Sequence, residues 1–175
     1  MCKCIALIGP PCSGKSAIGR RLEDEIGYKY ISSGDIARKM ASTDSNIGNH
    51  LNAGGMAPED RMREEVIKVF DNSDIILDGF PRFADQYRWL VENVPSTYKL
   101  TFVMIDAPII ELVNRASKRG RPDDIAFGDR LNYYMEYTQC LSYIIDEDKL
   151  LSIINTSVDT AVDIVEEYLH DRGWI

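Results

Sequence analysis

Short apolar runs recur along the chain, separated by longer stretches in which apolar residues return every third or fourth position. Cys4-Ile5-Ala6-Leu7-Ile8, Ile75-Ile76-Leu77, Leu100 to Ile105 and Leu150 to Ile154 read as strands, and Tyr28 to Ser32 as a further short one. Between the first two, Lys15 to Ile26 carries Ile18, Leu22 and Ile26 at helical spacing. The last stretch repeats Ala161, Ile164, Val165, Tyr168 and Leu169 at offsets of three and four, the period of a helix with one buried face. Runs that are apolar throughout, rather than alternating, predict strands covered on both faces. Regular strand–helix alternation predicts parallel pairing through right-handed crossovers. The expected architecture is a three-layer α/β domain: a five-stranded parallel sheet with helices on both faces, spanning residues 1–175 as one unit. Two segments break the rhythm, residues about 41–58 and about 119–129. Both are rich in Gly, Asp, Asn or Pro, and both are expected to be loop-like gates.

A chain of 175 residues, 45% apolar and 27% charged, is long enough to bury a core without disulfides or metal. The formal net charge of -8 argues against a nucleic-acid partner, which wants a basic face, but not against a nucleotide held in a local basic cleft. Four arginines, Arg115, Arg119, Arg121 and Arg130, concentrate positive charge in one stretch. The cysteines Cys2, Cys4, Cys12 and Cys140 form no C-x-x-C pair and fit no zinc spacing, which points to structural thiols in a reducing, cytoplasmic compartment. Neither a signal-peptide pattern nor an apolar run of membrane-spanning length is present in the sequence. His50 and His170 lie in no motif and are assigned to structure.

The chemistry begins at Gly9-Pro10-Pro11-Cys12-Ser13-Gly14-Lys15-Ser16, a G-x-x-x-x-G-K-[ST] loop placed after a buried strand and before a helix. Gly9 and Gly14 allow the backbone angles that turn amide hydrogens inward, and those amides with the helix start form an anion nest. Lys15 is positioned to reach the outer phosphates of a nucleotide, and the Ser16 hydroxyl to ligate Mg²⁺. Cys12, inside the loop, is read as a tolerated small residue, with a reactive thiol as the alternative.

Further motifs narrow the reaction. Ile31-Ser32-Ser33-Gly34-Asp35-Ile36-Ala37-Arg38 resembles the I-S-T-G-D-x-x-R segment of adenylate kinases, and Asp78-Gly79-Phe80-Pro81-Arg82 with Gln86 resembles their D-G-F-P-R-x-x-x-Q. Arg115, Arg119 and Arg121-Pro122-Asp123-Asp124 resemble the R-x-x-x-R and G-R-x-D-D elements, and Arg130-Leu131, Tyr134, Thr138 and Leu141 resemble the helix that follows. The resemblance covers nearly the whole chain, in order. It implies a P-loop NTPase fold with a small acceptor-binding insertion at about 33–61 and a short lid at about 119–129. The implied activity is reversible transfer of the terminal phosphoryl group of Mg-ATP to AMP, giving two ADP, by a monomer without nucleic-acid or membrane partners.

Residue by residue, the resemblance implies that Arg38 and Arg82 hold the AMP phosphate, where planar guanidinium forks suit the anion. Gln86 would pair with the adenine edge and Ser33 would face it. Gly55, Met56, Ala57 and Gly79 would line the AMP site, within a Gly54-to-Pro58 run similar to the family's G-x-L-V-P. Asp78 would orient Mg²⁺, partly through water. Arg115 would lie on the ATP adenine, Arg119 would reach the phosphates, and Arg121 and Arg130 would close over the transferring group. The lid is shorter than in many bacterial relatives, and the spacing from Asp124 to Arg130 is about two residues short, which predicts weaker exclusion of water. Two alternatives stay open: a kinase for another monophosphate such as CMP, UMP or a deoxynucleotide, and a non-catalytic nucleotide-binding regulator.

Overall fold

In the computed structural model, which describes residues 1–120 and 126–175, the middle of the sheet is β1 (Cys2–Ile8), whose last five residues are buried. The remaining strands are β2 (Lys29–Ser32), β3 (Ile75–Asp78), β4 (Tyr98–Asp106) and β5 (Leu150–Ile154). Their order across the sheet is β2-β3-β1-β4-β5, with every neighbouring pair parallel. The register aligns Leu7 and Ser32 with Asp78, and Ile8 with Met104. The strands therefore end together on one edge, where the chain leaves β1 for the phosphate loop. In an open parallel sheet that carboxyl edge is where ligands bind.

Side-chain alternation divides the core in two. Ile5, Leu7, Ile76, Val103 and Ile105 point to one face and pack with Ile18 and Leu22 of α1 (Lys15–Ile26) and with Ala161, Val162, Val165 and Leu169 of the C-terminal helix. Cys4, Ala6, Ile8, Ile75, Leu77, Phe102 and Met104 face the other way. There they meet α2 (Ser33–Thr43), α3 (Ser45–Asn52) and α4 (Glu59–Ile67) through Ala37, Met40, Ile47, Met62 and Val66, and α5 (Ala84–Asn93) through Leu90. Each fully buried Leu or Ile contributes about 1.5–3 kcal/mol from burial alone. The remaining helices are α6 (Ile109–Arg119), α7 (Phe127–Tyr133) and α8 (Val158–Asp171). The three-layer P-loop arrangement expected from the sequence is present.

The gate expected at residues 41–58 is largely helical. Asp44 caps α3 by accepting from the amide of Asn46 at 3.1 Å, and Ile47 is buried in the core, so capping and burial outweigh the weak helix propensity of Asn and Gly. Of the second expected gate, residues 127–129 already belong to α7, while Arg121, Asp123 and Asp124 lie outside the described residues. After α7 the chain continues as a π-helical turn, Tyr134–Thr138, rather than a regular helix. That turn buries both Tyr134 and Thr138. Among the described residues no helix is long and apolar enough to cross a membrane.

Candidate active site

The phosphate loop holds its shape because two glycines occupy positions closed to any other residue. A Cβ on Gly9 would lie 2.0 Å from the carbonyl oxygen of Ile105, and one on Gly14 would lie 2.2 Å from Nδ2 of Asn155; φ at these glycines is +151° and +100°. Cys12 also has a left-handed φ, +64°. The first turn of α1 carries no acidic residue, which leaves the positive end of the helix dipole open to an anion. Lys15 Nζ donates to the carbonyls of Gly9 (2.8 Å) and Pro10 (2.6 Å) and lies 3.3 Å from Ser13 Oγ. Burial lowers its pKa to about 8; Asp78 opposes the shift, and the charges of Arg82 and Arg130 add to it.

At the end of β3, the buried Asp78 accepts through Oδ2 from the Ser16 hydroxyl at 2.7 Å and from the Tyr30 hydroxyl. Burial, followed by the Asp78 charge, pushes the Tyr30 phenol well above its ordinary pKa, so it stays a donor. The next residues turn the chain over the site. Ser33 donates to Gly79 O at 2.8 Å, and Arg82 Nε donates to the same carbonyl at 2.8 Å. Burial and then the charge of Arg130 hold the Arg82 pKa below its usual value. Thr138, on the π-helical turn, donates to Arg82 O at 2.5 Å and ties the far side of the cleft to D-G-F-P-R. Gln86 is 3% exposed; its Oε1 accepts from Arg82 N at 2.7 Å and its Nε2 donates to Glu59 Oε2 at 2.8 Å. The exposed Arg38 pairs with Asp35 at 2.7 Å.

On the opposite side, Arg115 reaches from α6 to the loop. Its guanidinium donates to Ser13 O at 3.3 Å and to Asn155 O at 3.2 Å. Asn155, 2% exposed and one residue past β5, donates from Nδ2 to Ser13 O at 2.7 Å.

These groups enclose two adjoining cavities. The larger, about 510 Å³, is lined by Gly9, Pro11, Cys12, Gly14, Lys15 and Ser16 of the loop, by Asp78, and by Arg115, Lys118 and Arg119 of α6. Pro10 and Ser13 of the loop are buried and do not line it. The smaller, about 400 Å³, is lined by Ala57, Met62, Phe80 and Gln86 among others. Ser33, Gly34, Arg38, Gly55, Met56, Gly79, Arg82 and Arg130 line both. Three arginines thus stand on the common wall. Apart from Pro10 and Ser13, the site residues expected from the sequence and lying within the described residues line one or both of these cavities.

Sequence reasoning missed Tyr30, Glu59 and Asn155, and it gave the motif residue Thr138 no partner. Their roles depend on partners far away in the chain. Only Asn155 had a usable signal, since it follows a predicted strand on the carboxyl edge of the sheet.

A Walker-type loop opening onto a basic cleft, at the carboxyl edge of a parallel sheet, defines a P-loop nucleotide-binding protein. Consistent with this, a family model described as an AAA domain matches residues 8–126. The chain is 33% identical over 150 residues to an adenylate kinase of Mycobacteroides abscessus, which covers 77% of this chain and 81% of the relative. It is 31% identical over 170 residues to an adenylate kinase of Prochlorococcus marinus (91% and 93%) and 29% over 166 residues to one of Mycobacterium leprae (87% and 91%). The chain belongs to the adenylate kinase family of P-loop phosphotransferases.

Proposed function

We propose that this protein transfers the terminal phosphoryl group of Mg-ATP to AMP, reversibly, giving two ADP. The observation that carries the reading is the common wall: two cavities, one floored by the phosphate loop, meet at Arg38, Arg82 and Arg130. A donor in the larger cavity and an acceptor in the smaller would bring their phosphates together at that wall.

The acceptor oxygen is already anionic at neutral pH, so the reaction needs no strong base. The barrier lies in polyanion repulsion and in charge spread over the transferred group, and positioning with electrostatic stabilisation lowers it. Lys15 would exchange its bonds to Gly9 O and Pro10 O for phosphate oxygens. Arg82, fixed by Gly79 O and its own main-chain bonds, would hold the acceptor phosphate, with Arg38 assisting after leaving Asp35. Arg119, Arg121 and Arg130 would neutralise the transferring group. Residues about 33–61 and 119–129 would act as the acceptor-side gate and the short lid.

The oxygen-only pair Ser16 and Asp78 suits Mg²⁺, which keeps several waters and leans on substrate phosphates instead of a protein cage. Those two residues would hold it, Asp78 partly through water. When bound, Mg²⁺ would supply positive charge that neutralises the outer phosphates.

The deciding experiment is an acceptor panel at fixed ATP with product identification. ADP formation fastest with AMP supports the reading. Preference for CMP, UMP or a deoxynucleotide would replace it with another monophosphate kinase, and tight nucleotide binding without product would indicate a regulator.

A further inference from the structure

The carboxamide of Gln86 is fixed by partners that permit one orientation only. Its Oε1 faces the main-chain N–H of Arg82 and its Nε2 faces a carboxylate oxygen of Glu59. A backbone amide can only donate and a carboxylate can only accept, so rotating the amide by half a turn would set donor against donor and acceptor against acceptor. Glu59 is itself held. Its other oxygen accepts from Arg63 Nε at 2.6 Å, and the Arg63 guanidinium lies over the Trp89 ring, 5.6 Å from its centroid.

The amide keeps one free N–H on Nε2 and one free lone pair on Oε1. It lines the smaller cavity beside Met56 and Ala57. Adenine presents an amino donor at C6 and an acceptor at N1, which match that pair. Hypoxanthine has the same size and shape but presents an oxo acceptor at C6 and an N1–H donor, which match only the forbidden orientation.

We propose that Glu59 is a specificity-determining residue, locking the Gln86 carboxamide so that the site takes 6-amino purine monophosphates and rejects their 6-oxo counterparts. The proposal rests on the reading that the acceptor base lies against Gln86. It extends to pyrimidines: cytosine carries the amino pattern and uracil the oxo pattern, so CMP would be tolerated better than UMP. A buried polar mismatch of this kind costs about 10- to 100-fold each, and rotation of the amide creates two.

The test is kcat/KM for AMP and for IMP at saturating Mg-ATP, in the unaltered protein and in Glu59→Gln. A glutamine at 59 can turn either its oxygen or its nitrogen toward Gln86 and so relieves one of the two mismatches, the Arg82 N–H keeping the other. The unaltered protein should favour AMP by about 100-fold or more. In Glu59→Gln the ratio should fall by about ten-fold or more, with kcat/KM for IMP rising in absolute terms and the change residing in KM. A merely structural loss would lower both substrates together. Unchanged discrimination, or a ratio that falls only through loss of AMP activity, overturns the proposal. Should Glu59→Gln not fold, Glu59→Ala removes the carboxylate outright: a falling ratio supports the lock and a constant one overturns it. An unaltered protein that accepts IMP as readily as AMP would refute the underlying placement of the base, whereas discrimination undiminished in Glu59→Gln refutes the lock alone.

Discussion

The side-chain amide of Asn155 donates to the carbonyl oxygen of Ser13 at 2.7 Å, joining the end of β5 to the underside of the phosphate loop. Arg115 meets the same carbonyl from α6, so two elements distant in sequence set the loop's height above the sheet. Asn155→Ala should cost about 1 kcal/mol of stability, the usual net contribution of one hydrogen bond, because Ser13 O keeps Arg115 as a donor. It should raise the KM for ATP while leaving that for AMP nearly unchanged. Equal changes in both would show that Asn155 supports the fold generally and not the loop.

Lys15→Ala and Arg82→Ala should each lower kcat by about 10²- to 10³-fold, as for other groups that stabilise developing charge. Thermal unfolding should remain cooperative in both. Loss of cooperative unfolding would mean that the residue is structural.

ATP affinity should depend on pH through Lys15. The nucleotide-free protein gives up the Lys15 proton as pH rises through about 8. A bound polyphosphate favours the protonated form, so binding above that value takes up a proton. Affinity should be flat from this group below pH 8 and fall above it, by at most about ten-fold per pH unit. Calorimetry in two buffers of different ionisation heat would detect the uptake. No proton uptake between pH 8 and 9.5 would contradict the assignment.

Asp78→Asn keeps an acceptor for the Ser16 and Tyr30 hydroxyls but removes the charge. Its expected phenotype is a raised Mg²⁺ requirement with little change in melting temperature, since both hydroxyls keep an acceptor and each of the two altered hydrogen bonds contributes only about 1 kcal/mol. Titrating Mn²⁺ against the ATP complex by electron paramagnetic resonance gives a readout independent of turnover. Unaltered metal affinity would assign Asp78 to structure alone.

Gly9→Ala should abolish ATP binding, because the added methyl meets the main chain of β4 and not a side chain that can yield. Gly128→Ala, in α7 with nothing within 4 Å of the added carbon, is the control and should be neutral or slightly stabilising. Isothermal titration with ATP separates the two.

The parallel sheet could be read from the sequence because its central strands β1, β3 and β4 carry apolar runs on both faces, and the phosphate loop because its glycines are required by contacts with Ile105 and Asn155. The motif residues Arg38, Arg82 and Gln86 are grouped by the family resemblance, and the fold gives the physical reason: short strands ending at one edge leave their following residues side by side. What stayed hidden arises from pairing across the chain. Nothing local marks Glu59 as the partner of Gln86, or Thr138 as the partner of the Arg82 carbonyl. The α3 helix was obscured by its Asn and Gly residues, and the π-helical turn by a spacing that also fits a regular helix.

Because Arg38, Arg82 and Arg130 belong to both cavities, a ligand entering either one reshapes the electrostatic surroundings of the other. Linkage then requires reciprocity: whatever factor by which one nucleotide strengthens or weakens its neighbour's binding, the neighbour must return in full. Selection acting on the affinity of one room therefore cannot leave the other untouched.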